Sequence, residues 1–214
     1  IRANNGVKPL LYTPSEYEGG SSVSHLDEDT FANSARDAVM SPNLKMGEVF
    51  HLPGPLLIAM FEDLMTCNNI QAVKESTRDI SNVTRIINRF GNRLKIMTGV
   101  DTLALESLLM GANGWIAGLV CAFPAETVAI YELQKAGKIK EALEIYRWFL
   151  PLLELDIHPK LVQNIKLAET YTNIGTEIVR APRLPLIGDE RKKVIEIIET
   201  SLQNRPILPD YKNL

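Results

Sequence analysis

The segment IQAVKESTRDISNVTRIINRFGNRLKIMTG, residues 70–99, sets two short apolar runs on either side of an amphipathic stretch. The first run, IQAVKE (70–75), reads as a buried strand, and LKIMTG (94–99) as the next. Between them, Ile80, Val83, Ile86, Ile87 and Phe90 recur at helical spacing. Asp79 or Ser81 offers an N-cap and Gly91 a stop. Neither run alternates apolar with polar residues, as expected of parallel strands covered by helices. A strand, a helix and a second parallel strand make a right-handed crossover unit. The class is therefore α/β.

The pattern continues downstream. DTLALESLLMGANG (101–114) predicts a helix closed by Gly111, and WIAGLV (115–120) a third strand. PAETVAIYELQKAG (124–137) predicts a helix opened by proline and ended by glycine. Beyond Gly137 the chain turns wholly helical: residues 138–155, with Pro151 expected to kink or break the helix, then 158–175 ended by Gly175. A last helix spans 189–202, with Asp189 and Glu190 in its first turn. Residues 203–214 read as an extended tail. Upstream, GVKPLLYTP (6–14) reads as a strand running into a turn, residues 27–40 as a short helix, and GEVFHLPGPLLIAMF (47–61) as a strand to Leu52 followed by a proline-broken run.

The 214 residues are 45% apolar and 23% charged, a composition able to bury a sizeable core. A net charge of −3 with no basic stripe or tail argues against a nucleic-acid partner. Cys67 and Cys121 lie in apolar segments without metal-ligand spacing and are expected to be small buried hydrophobes in a reducing compartment. No apolar run approaches the roughly 20 residues of a membrane span, and the N-terminal residues lack the layout of an export signal. The expected setting is cytoplasmic, with no membrane partner.

The chemistry centres on Lys74. In parallel α/β sheets the carboxyl ends of the strands carry the active face. Three successive strands here end in VKES, TGVD and AGLV: an amine, a glycine where substrate can touch backbone, and an apolar wall. An amine in a dry pocket loses its preference for the charged form, and a free amine is what a Schiff-base nucleophile requires.

These residues carry a resemblance. NIQAVKESTRD (69–79) resembles the Schiff-base segment of the dihydrodipicolinate synthase / N-acetylneuraminate lyase family. Residues 95–124 are similar to its following strand–helix–strand unit, and VRAPRLPL (179–186) to the end of its helical extension. The match runs from about residue 61 to 202. It implies a (β/α)8 barrel, here incomplete, followed by a C-terminal helical extension. Residues 1–60 would be a poorly matching N-terminal part of the barrel, 61–137 its last three units, 138–202 the extension and 203–214 a tail. It further implies that Lys74 forms an imine with a small-molecule 2-oxo acid, that Gly99 and Ile116 line the substrate pocket, and that no cofactor or metal is needed. The iminium stabilises a carbanion at the adjacent carbon, which permits aldol cleavage or condensation, dehydration or deamination. The resemblance implies a homotetramer.

The chain also departs from the family. Only 73 residues precede Lys74, where a barrel of about 250 residues would need roughly twice as many. The family's Gly-Thr-Glu carboxylate loop has no counterpart, and VFHLPG (49–54) sets Phe50 where the proton-relaying tyrosine belongs. The alternative expectation is a non-catalytic relative acting as a structural or interaction module. Among other candidates, His25, His51 and His158 lack ligand spacing. Asp101 reads as a cap for the helix after it, GANG as a helix-to-strand turn, and Tyr146, Trp148 and Phe149 as packing residues. Lys160 and Lys166 read as surface charges.

Overall fold

A computed structural model describes residues 10–12 and 54–214, with side chains from Ile58 onward. The short helix expected over 27–40, the strand expected to Leu52, Phe50, His25 and His51 lie outside the described residues. The chain divides into two compact units: residues 1–99 with 110–113, and residues 100–109 with 114–214.

In the first unit, β1 (Leu10–Tyr12), β2 (Ala72–Glu75) and β3 (Lys95–Thr98) run parallel. Lys74 stands opposite Tyr12 on one side and Met97 on the other. Helices α1 (Gly54–Leu64) and α2 (Ser81–Phe90) belong to the same unit. The stretch expected to be a proline-broken run is thus α1. Pro55 falls in the first turn, where a missing N–H costs no internal hydrogen bond. Strand alternation sends Val73 and Glu75 to one face of β2, and their register partners Ile96 and Thr98 to the same face of β3. That face meets the helices, and the core there comprises Phe61, Ile70, Val73, Val83, Ile86, Leu94 and Ile96. Each fully buried aliphatic or aromatic side chain of this kind contributes about 1.5–3 kcal/mol. Helix α2 starts as read, with the Asp79 carboxylate accepting the Ser81 N–H at 3.0 Å, and it stops at Gly91, whose φ of +53° suits glycine. The GANG turn also forms as expected: Asn113 donates its N–H to Ile96 O at 2.7 Å and accepts the Ile96 N–H on Oδ1 at 2.9 Å, which pins the turn to β3.

The second unit is helical: α3 (Ala104–Leu109), α4 (Pro124–Lys135), α5 (Ile139–Leu153), α6 (Leu161–Tyr171) and α7 (Gly188–Gln203), with the two-residue strand β4 (Gly114–Trp115). Its core runs from Ala104 and Leu105 through Phe123, Ile130 and Leu133 to Phe149, Leu152, Ala168 and Ile198. The Phe123 ring meets those of Trp148 and Phe149 edge-on at 6.1 and 5.5 Å.

Four sequence-based expectations change here. The third strand stops after Trp115, because the chain bends so that the Gly118 and Leu119 N–H groups reach the Asp101 carboxylate. Pro151 does not break α5: it is exposed and lies in the last turn, where only one backbone bond is forfeited. Helix α6 ends before Gly175, at a turn where Asn173 takes φ +58°, a conformation asparagine tolerates. Both cysteines are exposed rather than buried: Cys67 falls in the bend after α1, and Cys121 ends a single 3-10 turn whose buried residue is Leu119. Among the described residues there are four strands and no closed barrel, and no helix is long and apolar enough to cross a membrane.

Candidate functional site

Lys74 occupies the third position of β2, on the face opposite Val73 and Glu75 and so away from the helices of its unit. It is half-buried. Its aliphatic arm lies across Gly99, the residue after β3. A Cβ built at Gly99 would stand 2.4 Å from Lys74 Cε, 2.9 Å from its Cγ and 2.1 Å from Ser76 Oγ. Glycine is required there by space: the lysine arm and the serine hydroxyl fill the volume that any side chain would take. The Gly99 N–H donates to Glu75 O at 2.7 Å, which locks the end of β3 to the end of β2 and fixes this approach.

A polar network holds the turn after Lys74 from the other face. The Glu75 carboxyl accepts the N–H of Thr77 at 3.0 Å and also its hydroxyl. Asn82 Nδ2 donates to Thr77 Oγ1 at 3.0 Å, Arg85 donates to Asn82 Oδ1 at 2.8 Å, and Arg85 pairs with Asp79 at 2.6 Å. Glu75 is 2% exposed, and burial pushes its carboxyl up to about 7, against the opposing pull of the Thr77 hydrogen bonds. Asp79, by contrast, is held below the usual carboxylate range, chiefly by the Ser81 hydroxyl and then by Arg85.

The structure therefore brings two of the three expected site residues together, Lys74 and Gly99. Ile116 belongs to the second unit, half-buried and immediately after β4. The segment carrying it is shaped by Asp101, which is fully buried. Its carboxylate accepts Trp115 Nε1–H at 2.9 Å, the Gly118 N–H at 3.0 Å and the Leu119 N–H at 3.0 Å. Asp101 thus organises the loop after β4 from the single helical turn that leads into α3. Tyr146 was expected only to pack, yet its hydroxyl donates to Asp101 O at 3.0 Å and accepts the Ala104 N–H at 3.1 Å. Burial raises its phenol out of the ordinary range. Two residues the sequence reading passed over, Glu75 and Ser76, are both 2% exposed. The signal was present: polar residues directly after a buried strand must be satisfied internally. Among the described residues no group of His, Cys, Asp and Glu could hold a metal ion.

A family model, that of the dihydrodipicolinate synthetase family, matches residues 53–201. The chain belongs to this family. A 4-hydroxy-tetrahydrodipicolinate synthase of Geotalea uraniireducens is 26% identical over 76% of the chain and 56% of the relative. A DapA-like lyase of Pyrobaculum islandicum is 32% identical over 60% of the chain and 46% of the relative. The chain spans about half the length of the curated relatives it matches. Among solved structures, dihydrodipicolinate synthase from Aquifex aeolicus aligns with a TM-score of 0.66 at 18% identity, covering 94% of this chain and 67% of that one. YagE of E. coli K12, a family member solved in complex with pyruvate, aligns with a TM-score of 0.65 at 15% identity over 90% and 65%. At these identities the structural likeness is one of fold.

Proposed function

We propose that the protein is a lyase of the dihydrodipicolinate synthetase family in which Lys74 forms a Schiff base with a small 2-oxo acid. The observation that carries this reading is the lysine arm laid across Gly99 on the sheet face away from the helices. Family membership supports it, as does a family relative solved with pyruvate, itself a 2-oxo acid. Ile116 is proposed, on the family resemblance, as a substrate-lining residue. Residues 61–137 are read as the last units of a (β/α)8 barrel and 138–202 as its helical extension, in a homotetramer.

The chemistry follows from the amine. Its lone pair attacks the ketone carbon while the π pair moves to oxygen. Loss of that oxygen as water leaves an iminium. The iminium withdraws electrons from the neighbouring carbon, so a C–C or C–heteroatom bond there breaks or forms through an enamine. The imine is itself the electron sink.

Trapping tests the proposal. The full chain is incubated with pyruvate and sodium borohydride, and the intact mass is measured. The expected result is one stable adduct per chain, abolished in Lys74→Ala. Absence of an adduct in the parent protein overturns the reading and favours a non-catalytic module.

A further inference from the structure

Imine formation needs a route for protons as well as a nucleophile, because the ketone oxygen must leave as water. Among the residues around Lys74 whose side chains are described, three carry hydroxyls: Ser76, Thr77 and Thr98. Two are committed to the opposite face. Thr98 is in register with Glu75, and the Thr77 hydroxyl donates to the Glu75 carboxyl. Ser76 differs. It follows Lys74 by two residues, so the extended chain returns its side chain to the lysine's face. Its Oγ and Lys74 Cε lie 2.1 and 2.4 Å from the same point above Gly99, so the two atoms are at most 4.5 Å apart, the sum of those distances. Ser76 is 2% exposed, and the Glu75 turn and the Gly99-to-Glu75 hydrogen bond hold the backbone beside it. A polar atom so placed is fixed beside the carbon that bears the reacting nitrogen.

We propose that the Ser76 hydroxyl is a second catalytic group, bonding to the oxygen of the carbinolamine formed on Lys74 and passing it the proton with which it departs. This rests on the assignment of Lys74 as nucleophile. The step balances. The C–N bond forms as the ketone π pair moves to oxygen, and nitrogen gives that oxygen one proton. The nitrogen lone pair then makes C=N as the C–O bond breaks. The departing hydroxide takes a proton through Ser76, which regains one from a hydronium ion of the solvent. Neutral amine, ketone and one proton thus give one iminium and one water. No redox partner is involved.

The test compares the parent protein with Ser76→Ala, which removes only the oxygen. With pyruvate and borohydride in a quenched time course, the expected result is a final yield of one adduct per chain in both. The variant's rate of adduct formation is expected to fall at least tenfold. Its rate should also rise more steeply toward acid pH, because solvent acid must replace the lost relay. A packing defect alone would not move the pH profile. If Ser76→Ala fails to fold, Ser76→Cys, similar in size but a weak donor, is read in the same way. An unchanged rate and pH profile overturns the role of Ser76 while leaving Lys74 in place. No adduct in the parent overturns both.

Discussion

At the scale of single residues, Gly99 and Glu75 make the sharpest predictions. Gly99→Ala sets a methyl 2.1 Å from Ser76 Oγ and 2.4 Å from Lys74 Cε. The lysine arm must move, so borohydride trapping should fall at least tenfold, with a stability loss of about 1–3 kcal/mol seen as a lower Tm. An unchanged trapping rate would show that the arm does not need this slot. Glu75 makes a prediction in pH. Its folded value of about 7 lies above the 4.5 of an ordinary glutamate, so the folded chain holds the proton more tightly than the unfolded one. Stability is therefore highest below about 4.5 and declines as pH rises through 7, by an amount on the order of 3 kcal/mol. Glu75→Gln retains an oxygen for Thr77 and carries no charge. It should melt close to the parent at pH 4.5 and above it at pH 8; equal melting at both would count against a protonated Glu75. The closeness of Lys74 to Gly99 was legible in the sequence, because both lie at the carboxyl ends of neighbouring strands. Glu75 and Ser76 were less so, because burial of a polar side chain depends on which elements cover it, and a single sequence does not print that.

Among the elements, the loop after β4 is the instructive one. WIAGLV is apolar throughout and reads as a strand, yet only its first residue lies in β4. The competing force is a buried carboxylate. Asp101 gathers three N–H donors from Trp115, Gly118 and Leu119, and charge-assisted bonds of that kind outweigh two or three further ladder bonds. Asp101→Ala should leave those donors unsatisfied and cost about 2–4 kcal/mol. Thermal unfolding checks it, with loss of the Trp115 fluorescence signature as a local readout. A loss under 1 kcal/mol would assign the bend to something else. Helix positions, by contrast, were legible nearly to their ends, because caps and glycine stops act locally: α2, α4 and α7 fall within a few residues of their sequence readings. Pro151 and Gly175 misled because where a breaker falls within a helix matters more than its identity.

For the whole molecule, the parallel α/β character was legible from apolar runs alternating with helices, and the division of the chain was not. Residues 100–109 belong with the helical unit, and 110–113 return to the strands. Ala104 and Leu105 are core members of the helical unit, and the Asp101 clamp lies there too. A fragment of residues 100–214 should therefore unfold cooperatively in circular dichroism, whereas 120–214 should melt broadly and earlier. Equal melting of the two would show that the 100–119 segment contributes little. The returning strap at 110–113 also bears on how such genes recombine. A chimera spliced after Gly99 takes Ile96 from one parent and Asn113 from the other, and because Ile96 offers only backbone groups, the side-chain bond to β3 survives only if the second parent carries Asn at 113. Shuffled descendants of this chain have no clean seam at the point where its sheet gives way to its helices.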